Sequence, residues 1–152
     1  MVQYYTDGSA SPNPGPGGYA VIKNGSPYII GGEPDGKDTT NIRMEGLAIM
    51  AALKDANGSE CQIKTDSEFW INVLTKWAPN WEKNGWQKKG GIKNLDIVQP
   101  LYSIYNESQA ELVWVRGHIG TELNELADEW ANKSRKLHIC DSTLVSELDS
   151  DV

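Results

Sequence analysis

The sequence predicts an α/β fold built on a five-stranded mixed sheet: three antiparallel strands, then two parallel ones, with helices on the flanks. Three observations carry this. The N-terminal third alternates apolar and polar residues around a hairpin signal, and two later strand-like stretches each follow a segment of helical periodicity. The 152 residues match the length of one domain, and a hydrophobic content of 39% supplies its core. No internal repeat or second domain is visible. The domain is expected over residues 1–139, with 140–152 an acidic, flexible tail.

The elements follow in order. Val2, Tyr4 and Thr6 alternate with Gln3, Tyr5 and Asp7 as in a strand, and residues 8–18, rich in Gly, Pro and Ser, read as a long stiff turn. Residues 19–23 and 28–32 form two further strands around Asn24-Gly25, a hairpin dipeptide. Thr39-Thr40-Asn41 offers N-caps for a helix to Ala56, with Met44, Leu47, Ala48, Ala51 and Leu53 on its apolar face and Asn57-Gly58 as its stop. Residues 61–66 are a short strand. Ser67 caps a helix expected to end at Trp77, and Pro79 starts a new segment leading into a Lys/Gly-rich loop. Residues 94–106 are helical with Pro100 in the first turns, 112–115 form the last strand, and Thr121 opens the last helix. A right-handed crossover through the first helix sets the strand ending at Asp66 parallel to the one ending at Asp7. Both aspartates then lie at carboxyl ends of neighbouring strands, where open α/β sheets bind ligands.

Charge and cysteines narrow the function classes. The net charge of −7 argues at first against a nucleic-acid partner, yet Asp141, Glu147, Asp149 and Asp151 in the tail supply more than half of it. Between residues 82 and 94 the sign reverses, with Lys83, Lys88, Lys89 and Lys93 against Glu82 alone. Local sign matters more than the total for holding a phosphate backbone. No leader-like N-terminus or stretch of about 18 apolar residues appears, so a soluble, cytoplasmic protein is expected. Cys61 and Cys140 are far apart without metal-ligand spacing and read as free thiols.

Four acids lie where segments change: Asp7 in Thr6-Asp7-Gly8, Glu45 early in the first helix, Asp66 in Thr65-Asp66-Ser67, and Asp128 in Leu126-Ala127-Asp128. Singly, each is explained as a turn former, a first-turn helix acid or a solvated charge. Together, YTDGSASPNPGPGGYA, TTNIRMEGLAIMAAL, KTDSEFWINVLTKW, WVRGH and NELADEWA resemble type I ribonuclease H in order and spacing, across roughly residues 2–137. The resemblance implies the ribonuclease H-like fold and an endonuclease that cuts the RNA strand of an RNA/DNA hybrid, leaving 5′-phosphate and 3′-hydroxyl ends. It implies that Asp7, Glu45, Asp66 and Asp128 hold two Mg²⁺ ions, with Mn²⁺ as a substitute. Physical chemistry agrees: hard divalent ions prefer oxygen ligands, and clustered carboxylates without a cation repel and raise one another's pKa values.

The resemblance also assigns His118, between glycines in Arg116-Gly117-His118-Ile119-Gly120, to proton transfer to the leaving group or product release. Trp77, Trp81 and Trp86, with Lys83, Lys88, Lys89 and Lys93, match the family's basic protrusion, where aromatic faces and lysines hold the DNA strand. Hydrophobic packing explains the tryptophans as well, Trp86 above all. Asn13 and Asn41 match minor-groove contacts near RNA 2′-hydroxyls, and Thr40 and Asn94 match a pocket for a DNA-strand phosphate. Thr40 and Asn41 serve equally as helix caps, and Asn13 as a turn former.

The departures are local. Ile42 replaces the polar residue usual after Thr-Asn, Asp38 stands where a basic residue often supports the phosphate pocket, and Glu68 replaces a neutral amide. Gly46 inside a helix costs about 1 kcal/mol relative to alanine. These bear on affinity for hybrids. The hybrid-binding module preceding some eukaryotic members has no counterpart, so high processivity is not expected. The partner expected is an RNA/DNA hybrid, with no membrane, no obligate protein partner and a monomeric state. The alternative reading is a catalytically silent hybrid-binding module.

Overall fold

The computed structural model describes residues 1–116 and 122–148. Strands β1 (Val2–Ala10), β2 (Gly17–Lys23) and β3 (Ser26–Gly31) form an antiparallel meander. Asn24 and Gly25 between β2 and β3 have φ of 48° and 88°, the left-handed pair that matches the twist of a two-residue hairpin. Helix α1 (Asn41–Ala56) is capped by Thr40, whose hydroxyl accepts the Arg43 amide at 3.2 Å, and ends at left-handed Asn57. It leads to β4 (Cys61–Thr65), which lies parallel to β1 with Thr6 opposite Thr65. The crossover therefore sets Asp7 and Asp66 side by side, each one residue beyond that pair.

Ser67 caps α2 (Glu68–Asn72) through the Trp70 amide. The helix then differs from the expected stop at Trp77. A π-helical turn (Val73–Trp77) continues directly into α3 (Ala78–Lys83). Pro79 has no N–H, and its ring would press on the Thr75 carbonyl in a regular helix, so the wider turn before it lets the chain run on. Helix α4 (Leu95–Asn106) likewise continues through Pro100, which sits on an exposed face and beyond the first turn. Strand β5 (Ala110–Trp114) pairs parallel to β4, and α5 (Glu122–Lys136) follows.

Among the described residues the sheet has six strands in the order β5-β4-β1-β2-β3-β6, one more than expected. The extra one is β6 (Thr143–Leu144), in the stretch read from its acids and serines as a loose tail; it pairs with the edge of β3. The Tyr19 hydroxyl bonds Ser142, and Val145 and Leu148 pack on Ala20, Ile30 and Ala131. These are long-range contacts that a local hydropathy pattern does not encode. Cys61 and Cys140 are free thiols.

Both faces of the sheet are covered. On one, α1 and α4 enclose the main core around Tyr4, Ile63, Met44, Leu53, Trp70 and Leu101. On the other, α5 crosses β1, β2 and β3 so closely that a Cβ at Gly18 would meet the backbone nitrogen of Arg135. Gly46 has the same kind of reason. The Trp70 indole lies where its side chain would be, with a Cβ only 2.7 Å from Cε2, and the indole N–H donates to the Ile42 carbonyl at 2.7 Å. The helix-propensity loss at Gly46 is therefore offset by burial of Trp70, which is 0% exposed. Among the described residues, no helix is long and apolar enough to cross a membrane.

Candidate active site

Three elements converge where β1 and β4 run past their last shared pair. Asp7 lies in the central strand β1 opposite Ala20 and is buried. Asp66 follows β4, and Glu45 is the fifth residue of α1, just beyond the first turn to which its position after Thr40 had assigned it. Gly8 lets α1 approach this closely, because a Cβ there would collide with the Glu45 backbone nitrogen and the Met44 carbonyl carbon. One carboxylate oxygen from each of Asp7, Glu45 and Asp66 lies within 4.8 Å of the other two.

Asp128, half-buried on α5, completes the group from the opposite face by sharing a side-chain hydrogen bond with Asp7. Burial, then the charges of Asp66 and Asp128, push the Asp7 carboxyl well above the usual carboxylate range. Burial and the Asp66 charge push Glu45 up to about 7, against a hydrogen bond from Ser67 that favours its ionised form. Ser67 thus joins the site to the start of α2, since the same hydroxyl accepts from the Trp70 amide at 3.2 Å. Sequence reading gave it only the capping role.

Among the described residues, the leading influences on Asp7 and Glu45 are burial and neighbouring carboxylates rather than a positive charge. A buried aspartate grouped with half-buried carboxylates, whose charges raise one another's pKa values, fits one or more hard divalent cations. Without them, Asp7 and Glu45 hold their protons to higher pH than ordinary carboxylates do. His118 and its flanking glycines lie outside the described residues.

The expected nucleic-acid contacts fall into three groups. Asn13 and Asn41 are wired together: the Asn41 amide donates to Asn13 Oδ1 at 3.2 Å, and Asn41 Oδ1 accepts the Ala10 amide at 2.6 Å. Ile42 beside them is exposed. Thr40 and Asn94 converge on Arg43, which bonds the first through its backbone and the second through its guanidinium at 3.3 Å. Lys37, adjacent to the unusual Asp38, is paired with Asp35 at 3.5 Å. The third group lies on the excursion after α2. Trp77 and Trp81 stand 6.2 Å apart, and the Lys88 ammonium lies 5.7 Å from the Trp81 ring. With Lys89, Lys93, Phe69 and Ile92 they line an open cleft of about 500 Å³. Lys83 is exposed on α3 and does not line it, and Trp86 turns away to pack edge-on against Tyr102 at 5.9 Å. Phe69 and Ile92 were missed: Phe69 is brought to the cleft from α2, distant in sequence from the lysine run, and an apolar residue within that run such as Ile92 carries no signal of its own.

The chain matches the RNase H family over residues 1–136. It is similar to ribonuclease H of Hahella chejuensis, 44% identical over 138 residues that cover 86% of this chain and 90% of that protein. It is similar to ribonuclease HI of Pseudomonas aeruginosa, 43% identical over 140 residues, covering 88% and 92%. Among solved structures it resembles LC9-RNase H1, described as a type 1 RNase H with the type 2 active-site motif. The two agree with a TM-score of 0.78 and 27% identity, over 98% of this chain and 77% of that one.

Proposed function

The chain belongs to the RNase H family and is a ribonuclease; from that premise we propose that it cuts the RNA strand of RNA/DNA hybrids at the carboxylate cluster, leaving 5′-phosphate and 3′-hydroxyl ends. The observation that carries the reading is the meeting of Asp7, Glu45 and Asp66 from three elements, with Asp128 against Asp7. In this reading Asp7, Glu45 and Asp66 would hold two Mg²⁺ ions together with Asp128, which lies against Asp7. Two such ions supply a nucleophile from water near neutral pH and charge stabilisation at the scissile phosphate. The protein's own work is placement. β1 and β4 fix two carboxylates through a sheet register, α1 and α5 bring the others in from opposite faces, and Ser67 restrains Glu45.

Substrate choice rests on the surrounding surface. Asn13 and Asn41 lie next to the β1 turn and suit the minor groove, where a 2′-hydroxyl distinguishes RNA from DNA. Thr40 and Asn94 suit a phosphate of the DNA strand, and the Trp77/Trp81 cleft with Lys88 and Lys89 suits that strand's sugars and phosphates farther along. Lys83 extends the basic surface, and His118 is assigned the leaving-group proton or product release. A monomer acting in the cytoplasm is the simplest setting.

The test is a panel of end-labelled RNA/DNA, RNA/RNA, DNA/DNA and single-stranded RNA with Mg²⁺ or with EDTA. Cleavage confined to the RNA of the hybrid and lost in EDTA is expected. Cleavage of the other duplexes would assign the site a different nuclease chemistry. Tight hybrid binding without cleavage, in Mg²⁺ or Mn²⁺, would make the chain a binding module.

A further inference from the structure

Asn94 departs from its local rule. It occupies the N-cap position of α4, where asparagine ordinarily accepts a backbone N–H, yet its side chain makes no cap bond. Its backbone is left-handed, at φ 59°, a conformation that carries some strain for any residue with a Cβ. The carboxamide oxygen instead accepts from the Arg43 guanidinium at 3.3 Å. A guanidinium offers only donors, so the Asn94 oxygen is turned inward and its NH₂ group is left for a ligand. An NH₂ donor suits a phosphate oxygen, which only accepts. Asn41 and Asn13 follow the same pattern, because backbone N–H groups occupy both of their carboxamide oxygens.

Arg43 is itself held rigidly. Its Nε lies 2.8 Å from Glu33 Oε2, its Nη2 lies 2.8 Å from Asp96 Oδ2, and its Nη1 reaches Asp96 Oδ1 at 3.0 Å. Glu33 also accepts from the Thr39 hydroxyl at 2.6 Å. One side chain thus ties the loop before α1, the start of α1 and the start of α4 into a single unit. Glu33 and Asp96 neutralise the guanidinium, which suits it to orienting Asn94 rather than to binding phosphate directly.

We propose that Arg43 is a positioning residue for substrate binding, holding Asn94 so that its amide N–H groups are presented to a phosphate of the DNA strand. This rests on the reading that Thr40 and Asn94 form a phosphate pocket. The test is steady-state hybrid cleavage by the full chain and by Asn94→Ala, Arg43→Gln, Arg43→Lys and the Asn94→Ala/Arg43→Gln double variant. Melting temperatures are recorded alongside. Hybrids with a single methylphosphonate walked along the DNA strand identify the phosphate concerned.

Asn94→Ala and Arg43→Gln each raise KM about tenfold, the effect of losing one hydrogen bond to a charged group. The double variant is no worse than Asn94→Ala alone. Arg43→Lys keeps the charge but cannot span Glu33, Asp96 and Asn94, so it shows the same KM rise even where its melting temperature is nearer the wild type. One methylphosphonate position raises KM for the wild type and adds nothing for Arg43→Gln. KM effects that multiply in the double variant, a loss confined to kcat, or retained methylphosphonate sensitivity in Arg43→Gln would overturn the proposal. A wild-type KM in Asn94→Ala would overturn the phosphate pocket and the proposal together, whereas a loss of Arg43 dependence alone leaves the pocket standing.

Discussion

Asp7→Asn is expected to abolish hybrid cleavage and, at the same time, to stabilise the metal-free protein at alkaline pH. The first effect follows from removing the central carboxylate of the cluster. Losing several kcal/mol of charge stabilisation lowers the rate about 10³-fold or more. The second follows from linkage. The folded-state pKa values of Asp7 and Glu45 are raised above the unfolded carboxylate range, so the folded protein binds more protons than the unfolded one. Their contribution to stability is present below the unfolded pKa and is lost as pH rises through the folded values. For Glu45 that window runs from the ordinary carboxylate range through about 7, and for Asp7 it extends higher. Asparagine removes the Asp7 part. Calorimetry in EDTA is therefore expected to give Asp7→Asn a Tm at least ~2–4 °C above wild type at pH 8, the shift from ~1 kcal/mol in a domain this size, and to show the gap closing towards pH 4. Mg²⁺ raises the wild-type Tm at pH 8 and raises that of Asp7→Asn much less. A variant less stable than wild type in EDTA at pH 8 would mean that the four carboxylates are not in mutual repulsion.

Gly8→Ala is expected to damage stability and activity together. The added Cβ meets the backbone of Met44 and Glu45, and neither backbone atom can rotate away as a side chain would. Helix α1 must move off β1, which costs about 1–3 kcal/mol as overpacking does elsewhere. The same movement carries Glu45 away from Asp7 and Asp66. A displacement near 1 Å lowers the rate by about 10²-fold. Thermal unfolding and single-turnover cleavage on one preparation separate the two effects. A folded, fully active Gly8→Ala protein would show that the contact between β1 and α1 does not set the spacing of the carboxylates.

Much of this arrangement is legible in short stretches of sequence because short-range physics controls them. Asn24-Gly25, Thr40, Asn57 and Ser67 do what their types do in turns and caps, and the crossover rule alone sets Asp7 beside Asp66. What escaped reading depends on distant partners. The pairing of β6 needs the free edge of β3, and Gly46 makes sense only with Trp70 against it. Pro79 looked like a helix stop because the π turn that accommodates it leaves no mark in composition. The knot of Arg43 with Glu33, Asn94 and Asp96 spans three segments, and each of these residues passes singly for a surface residue. The tryptophans were more legible: packing was expected of Trp86 above all, and it lies against Tyr102 while Trp81 stands beside Lys88.

The most direct test of cation-assisted hydrolysis at this cluster is the chemistry of the cut ends. A hybrid with 5′-labelled RNA is cleaved in Mg²⁺, and the labelled fragments are resolved before and after phosphatase treatment, beside size standards bearing each kind of 3′ end. Attack by water at a phosphate held against Asp7, Glu45, Asp66 and Asp128 predicts labelled fragments ending in 3′-hydroxyl and downstream fragments beginning with 5′-phosphate. Fragments ending in a 2′,3′-cyclic phosphate would mean that the neighbouring 2′-hydroxyl attacks instead, and would contradict the account.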